Sequence, residues 1–280
     1  MLPPVRRAAI ASLTEHSRRS MSEDDALDPA LYRPSWLYRL MLGGVVPVML
    51  HAWAHLCIEG AENLPASGPF IIVANHVDNN DSYAIGVRVH RTLHFLARPA
   101  GMQSRWLGRF WRLMAAIPAD REGLNLALTM LKAGEVIGVY PDGVITPHLL
   151  RAKAGVGALA ARAGVPVVPV AVWGTERLRL WPWPRGRRRP VCIHFGAPRC
   201  FGRADVRRLG LQGIADEVMT DVAALLPPAY RGYYAAALEA RAAGLPVVPE
   251  RGRRSRNGTG TAAGERHGET ARVKGGRALF

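Results

Sequence analysis

Cysteine is scarce in this 280-residue chain: Cys57, Cys192 and Cys200 are the whole complement. They are too few for a disulfide framework, and no CxxC pair suggests a zinc or thiol-redox motif, so the chain reads as suited to a reducing, cytosolic-facing compartment. Lysine is equally sparse, with Lys132, Lys153 and Lys274 the only examples among 37 basic residues. Acidic side chains are in short supply too, 22 against 37, which gives a formal net charge of +15. That excess favours anionic partners such as nucleic acid, a membrane surface or a phosphorylated substrate. An arginine bias also follows from base composition, so charge alone does not choose among them. The N-terminal apolar run from Ala8 to Leu13 is too short for a signal-peptide core, and no cleaved export signal is read. No repeat of 20 to 50 residues is visible, which argues against a solenoid or propeller.

A hydrophobic content of 49% is enough for a sizeable buried core. The most apolar stretch, Trp36 to Ile58, is broken by Arg39, Gly43, Gly44, Pro47, His51 and His55. A straight spanning helix wants about 20 uninterrupted apolar residues. Two short helices hinged near Gly43 to Pro47, dipping into one leaflet with Trp36, Tyr38 and Trp53 at the interface, are the preferred reading. A buried helical hairpin in a core is the alternative.

Beyond Pro69 the pattern changes. FIIVA at Phe70 to Ala74, LHFLA at Leu93 to Ala97, EVIGVY at Glu135 to Tyr140, the run from Val165 to Gly174 and VCIHFG at Val191 to Gly196 read as strands buried on both faces. Helical patterns lie between them at Ser82 to His90, Trp106 to Met114, Leu124 to Ala133 and Val156 to Ala163. A further helix is expected from Val206 to Leu226, before Pro227-Pro228. Alternation of this kind predicts an α/β fold with a mostly parallel central sheet flanked by helices. The expected organisation is a flexible extension over 1–35, a membrane-associating helical hairpin over 36–58, an α/β domain over 59–245 and a disordered basic tail over 246–280.

Directly after the first of these strands comes Asn75-His76-Val77-Asp78-Asn79-Asn80-Asp81. A histidine that accepts a proton from a hydroxyl needs a carboxylate on its other ring nitrogen, to fix the tautomer and stabilise the imidazolium. Asp81, five residues on, is able to fold back to do this; a plain helix cap at Asp81 or Asn80 with His76 as a loop residue is the competing reading.

Three further blocks follow in order: Ile117-Pro118-Ala119-Asp120-Arg121, Tyr140-Pro141-Asp142-Gly143 and Val167-Val168-Pro169-Val170-Ala171. With NHVDNND they resemble the bacterial 1-acylglycerol-3-phosphate (lysophosphatidic acid) acyltransferases, in the glycerolipid acyltransferase superfamily with its HxxxxD motif. The resemblance covers about Ile58 to Pro198. It implies that His76 is the general base toward an acceptor hydroxyl that attacks an acyl thioester, with Asp81 orienting it. No metal and no cofactor are implied, acyl-CoA or acyl carrier protein being the donor substrate. Arg121, Asp142, Gly143 and Lys153 are the implied substrate-binding residues, Arg121 foremost for an acceptor phosphate. The implied partners are a membrane lipid surface, a lysophospholipid and the acyl donor, with no nucleic acid. The implied location is the cytoplasmic face of the cytoplasmic membrane.

This sequence departs from the family pattern in three places. Ile145 stands where the third block usually carries arginine, Asp142 replaces glutamate, and Asp78 replaces Ser or Thr beside His76. A different lysolipid, glycolipid or aminolipid acceptor is therefore the rival reading within enzymes. A non-enzymatic basic module acting through its arginines is the rival outside them. His51 and His55 lie one helical turn apart without a nearby third ligand and read as ordinary packing or interface residues. Gly155-Val156-Gly157 lacks the rest of a dinucleotide fingerprint. The tryptophan- and arginine-rich run from Trp181 to Arg189 suits an anionic surface or a solvated loop equally.

Overall fold

The computed structural model describes residues 32–178 and 188–244. The terminal segments and most of the Trp181 to Arg189 run lie outside the described residues.

Seven strands form one sheet: β1 (Ala54–Glu59), β2 (Phe70–Ala74), β3 (Leu93–Ala97), β4 (Ile117–Pro118), β5 (Val136–Val139), β6 (Val167–Trp173) and β7 (Arg189–Phe195). Their spatial order is β1-β7-β6-β2-β5-β3-β4. Pairing is parallel except between β6 and β7, which run antiparallel. The central strands are apolar at every position because both of their faces are covered; all five residues of β2 and all four of β5 are buried.

The helices in chain order are α1 (Trp36–Leu40), α2 (Val46–Trp53), α3 (Asp81–Gly86), α4 (Pro99–Met102), α5 (Arg105–Leu113), α6 (Arg121–Lys132), α7 (Gly155–Ala163), α8 (Arg203–Leu225) and α9 (Ala235–Ala242). Alternate side chains of each strand feed two cores. Ile71, Val73, Ile137 and Val139 pack beneath α6, α7 and α8. Phe70, Ile72, Val168, Val170 and Val172 pack beneath α2 and α3. The long covering helix α8 is broken at Gly210, whose φ of 70° departs from helical geometry.

The expected hairpin over 36–58 is not what the chain forms. α1 and α2 are joined by a π-helical turn, Met41–Val45, and every junction residue keeps right-handed helical dihedrals. Val46 donates its N–H to the Met41 carbonyl, five residues back. This wide turn carries the helix across Gly43-Gly44 to Pro47 without reversing, since it takes up the disruption that a proline with no N–H imposes on its preceding turn. The last residues of the apolar run, from Ala54 on, are not helical but form the edge strand β1. Among the described residues no helix is long and apolar enough to cross a membrane. At the other boundary Tyr32, placed in the flexible extension by sequence, is buried in the main core.

Candidate active site

In a parallel sheet, side chains that follow the C-terminal ends of the strands gather along one edge. Here that edge receives Asn75 and His76 after β2, Arg98 after β3, Asp120 and Arg121 after β4, Tyr140 to Gly143 after β5 and Thr175 after β6. Asn75 fixes the first of these ends. Its side-chain amide donates to the Val172 carbonyl at 2.7 Å and its carbonyl accepts from the Val172 N–H at 2.8 Å, so a side chain continues the β2–β6 ladder where the backbone turns away. Removing it would strand two buried backbone groups.

His76 Nδ1 lies 2.9 Å from Asp81 Oδ2. The Asp81 carboxylate is fully buried, and the same oxygen accepts the N–H groups of Val77 at 2.7 Å and Asp78 at 2.9 Å. Its other oxygen accepts the Thr175 hydroxyl. Three donors besides the imidazole hold the carboxylate rigidly, and a carboxylate there requires a proton on Nδ1. Nε2 is thereby left as the basic nitrogen, on a ring that lines a cavity and is 16% exposed. Asp81 is also the first residue of α3, where a negative charge is favoured by the helix N-terminus, while the N-cap position falls to Asn80, which makes no side-chain capping hydrogen bond.

The imidazole stacks on the Tyr140 ring at 3.9 Å between centroids and 9° between planes, and Tyr140 stacks in turn on Phe95 at 5.0 Å and 3°. Gly138 makes room for this column, since a Cβ there would meet the Phe95 ring at 2.5 Å. The Tyr140 hydroxyl shares a hydrogen bond of 2.9 Å with Ser82 Oγ, and burial pushes its pKa well above the ordinary phenol value.

Beyond Tyr140 the chain turns at Gly143, whose N–H returns to the Tyr140 carbonyl at 3.0 Å and whose φ of 67° is left-handed. Glycine adopts that conformation without the Cβ penalty other residues incur. Thr146 N–H donates to the His76 carbonyl at 2.8 Å, tethering the two loops. Asp142 is buried, and neither of its oxygens meets a donor in normal hydrogen-bond geometry among the described residues. Burial pushes its pKa up to about 6, against the pull of His76, of its own and Gly143's amides, and of Lys153. Lys153 is thus placed to act on Asp142, with its own N–H on the Pro141 carbonyl at 3.0 Å.

Arg121 stands elsewhere. It is exposed in the first turn of α6, which Asp120 caps through the Gly123 N–H at 2.8 Å. It does not line the cavity, and its guanidinium makes no hydrogen bond or ion pair among the described residues. The guanidinium that does line the cavity is Arg98, whose Nε donates to the Gly143 carbonyl at 3.1 Å. The sequence reading missed it; a basic residue directly after a strand of the parallel sheet was the available signal. Ile145 lines the cavity as well, 44% exposed. Asp78 is absorbed locally, its carboxylate accepting the Asn80 N–H at 2.9 Å and the Asn80 side-chain amide at 2.6 Å.

The cavity has a volume of about 620 Å³ and is walled mainly by hydrocarbon from α1, the π turn, β3 and α5. Ser35 ties two of these walls together, accepting the Tyr38 N–H at 3.1 Å and donating to the Leu113 carbonyl at 2.6 Å. Large apolar residues stand in solvent on both, with Trp36 75% and Trp106 79% exposed, joined by Leu40, Leu107, Phe110 and Leu113.

Residues 55–173 match the family model described as Acyltransferase. Over 123 residues the chain is 32% identical to the 1-acyl-sn-glycerol-3-phosphate acyltransferase of Bacillus subtilis, covering 42% of this chain and 62% of that protein. A chloroplastic 1-acyl-sn-glycerol-3-phosphate acyltransferase of Arabidopsis thaliana is 26% identical over 141 residues, 47% of this chain and 39% of its own length. The chain thus spans less than two thirds of either curated relative. Among solved structures, the 1-acyl-sn-glycerophosphate acyltransferase PlsC of Thermotoga maritima is 25% identical with a TM-score of 0.49, over 65% of this chain and 78% of that one.

Proposed function

We propose that the chain transfers a fatty acyl group from acyl-CoA or acyl carrier protein to the free hydroxyl of 1-acylglycerol-3-phosphate, giving phosphatidic acid; the match of residues 55–173 to the Acyltransferase family model supports this reading. The observation that carries the reading is the His76–Asp81 pair set in the wall of an apolar cavity. Nε2 takes the proton from the acceptor hydroxyl as its oxygen attacks the thioester carbonyl, and the buried Asp81 carboxylate stabilises the imidazolium that results. The proton then passes to the departing thiolate. The hydrocarbon walls accept acyl chain, and Arg98 supplies a fixed positive charge for an acceptor phosphate, with a geometry that suits paired oxygens. Asp142 and Lys153 hold the turn that presents Gly143 to the cavity.

The exposed apolar residues of α1 and α5 support attachment to one leaflet, peripheral or monotopic; the cytoplasmic face of the cytoplasmic membrane is the proposed location. Their positions are one helical turn apart on each helix, Trp36 with Leu40 and Trp106 with Phe110. An acceptor and a product that are both lipids then need not leave the membrane.

The test is acyl transfer from a labelled thioester to a panel of lysophosphatidic acid, neutral lysolipids and glycolipids. Phosphatidic acid is the expected product; transfer to a neutral acceptor alone would select the alternative that Ile145 favours, an apolar group where the family has arginine. Within the panel, Arg98→Ala is expected to raise KM for the phosphate-bearing acceptor by about 10- to 100-fold, the loss of one charge-assisted contact, with kcat nearly unchanged. Arg121→Ala serves as the comparison: a larger KM effect there would move the phosphate contact away from Arg98.

A further inference from the structure

The far side of the sheet from β4 holds a second group of reactive side chains that acyl transfer does not use. Strands β1 and β7 pair in parallel with Cys57 opposite Cys192 and Glu59 opposite His194. Residues two apart on a strand share a face, so one face of this pair presents two thiols, a carboxylate and an imidazole. It is the face away from Leu56, Ile58, Val191 and Ile193, which fill the core beneath α2 and α3. Cys57 Sγ lies 3.9 Å from His194 Nε2 and 3.9 Å from a Glu59 carboxylate oxygen, and His194 Nε2 lies 3.4 Å from the other. Among the described residues this is the one place where three metal-ligating side chains converge.

From these separations we infer that the β1–β7 edge is a binding site for a divalent metal ion of the zinc type, held by Cys57, His194 and Glu59, with a water molecule completing the tetrahedron. Tetrahedral zinc with ordinary bond lengths sets its nitrogen and oxygen ligands about 3.4 Å apart and its sulfur and nitrogen ligands about 3.6 Å apart. The observed spacings need no strand movement, only small side-chain rotations. Mixed sulfur and nitrogen ligands select zinc over magnesium or calcium, which prefer oxygen. The His194 ring is already restrained by the edge of Trp173, 4.7 Å between centroids, which fixes its plane. An ion in this position cross-links the edge strand β1 to β7.

The experiment uses the purified full chain, stripped with chelator and kept reduced, and titrates it with cobalt as the spectroscopic stand-in for zinc. The expected result is one equivalent bound, with a thiolate charge-transfer band and the visible bands of tetrahedral cobalt, all displaced by zinc. Zinc itself is expected to raise Tm by about 5 °C when well above its dissociation constant. Cys57→Ser and His194→Gln should each weaken binding by about 100-fold, and Glu59→Gln, at an exposed side chain that leaves the fold intact, by about tenfold. Absence of the thiolate band in the reduced protein would overturn the site. So would affinity unchanged in Cys57→Ser/His194→Gln, or affinity lost in His76→Ala, which would place the ion at the acyl-transfer site.

Discussion

His76→Ala is expected to lower the rate of acyl transfer by about 10³-fold or more, the share that a positioned general base contributes to such a step. Nothing else in the cavity wall substitutes for Nε2. The Tyr140 hydroxyl is committed to Ser82 and its pKa is raised far from neutrality by burial, and Asp142 does not line the cavity. The cost to the fold should be small, because the lost contacts are one stacking interaction and one hydrogen bond at a partly exposed ring, about 1 to 2 kcal/mol. Single-turnover transfer measured beside circular dichroism separates the two effects. A variant that folds and retains activity within tenfold of the unmutated chain would remove His76 from the mechanism.

Asp81 is expected to matter for both fold and rate, and two substitutions divide the parts. Asp81→Ala leaves the Val77 and Asp78 amides, the Thr175 hydroxyl and His76 Nδ1 without their acceptor in a fully buried place. At about 1 to 3 kcal/mol for each unsatisfied buried group, several at once should cost about 3 to 5 kcal/mol and lower Tm by about 10 °C. In Asp81→Asn the amide oxygen replaces Oδ2 and keeps three of the donors. The new NH₂ faces Thr175, whose hydroxyl rotates to accept. That protein should keep most of its stability yet lose about 10²- to 10⁴-fold in kcat, because the imidazolium has lost its counter-charge. Equal rates for the unmutated protein and Asp81→Asn would show that Asp81 is a structural acceptor only.

What the chain discloses by itself depends on how far apart in sequence the cooperating residues lie. β2 and β3 are legible because FIIVA and LHFLA are short apolar runs bounded by turn residues. β1 is not, since AHLCIE continues the apolar stretch that precedes it, and a short edge strand is hard to tell from the end of a helix by hydrophobicity alone. The pairing of His76 with Asp81 is equally legible, for its partners sit within five residues and the enclosing loop is their own backbone. Thr175 closes the same carboxylate from 94 residues away, and Arg98 reaches Gly143 across 45. Neither contact has a periodic signature, because each is made by strands becoming neighbours in the sheet. The convergence of Cys57 with His194 spans 137 residues and arises only from strand register.

The single antiparallel junction between β6 and β7 determines which way the molecule faces. Because β1 follows the direction of β7, it runs opposite to the five other strands, and its first residue, Ala54, lies at the edge where β2 ends and His76 begins. The helical segment ending at Trp53 is therefore delivered to the mouth of the cavity rather than to its back. Had β7 paired parallel to β6, the same apolar helix would emerge at the opposite edge, and a chain moored to a bilayer by it would point its histidine at the water. Reversal of two strands thus acts as a compass: it sets the apolar helix and the reactive nitrogen on one horizon.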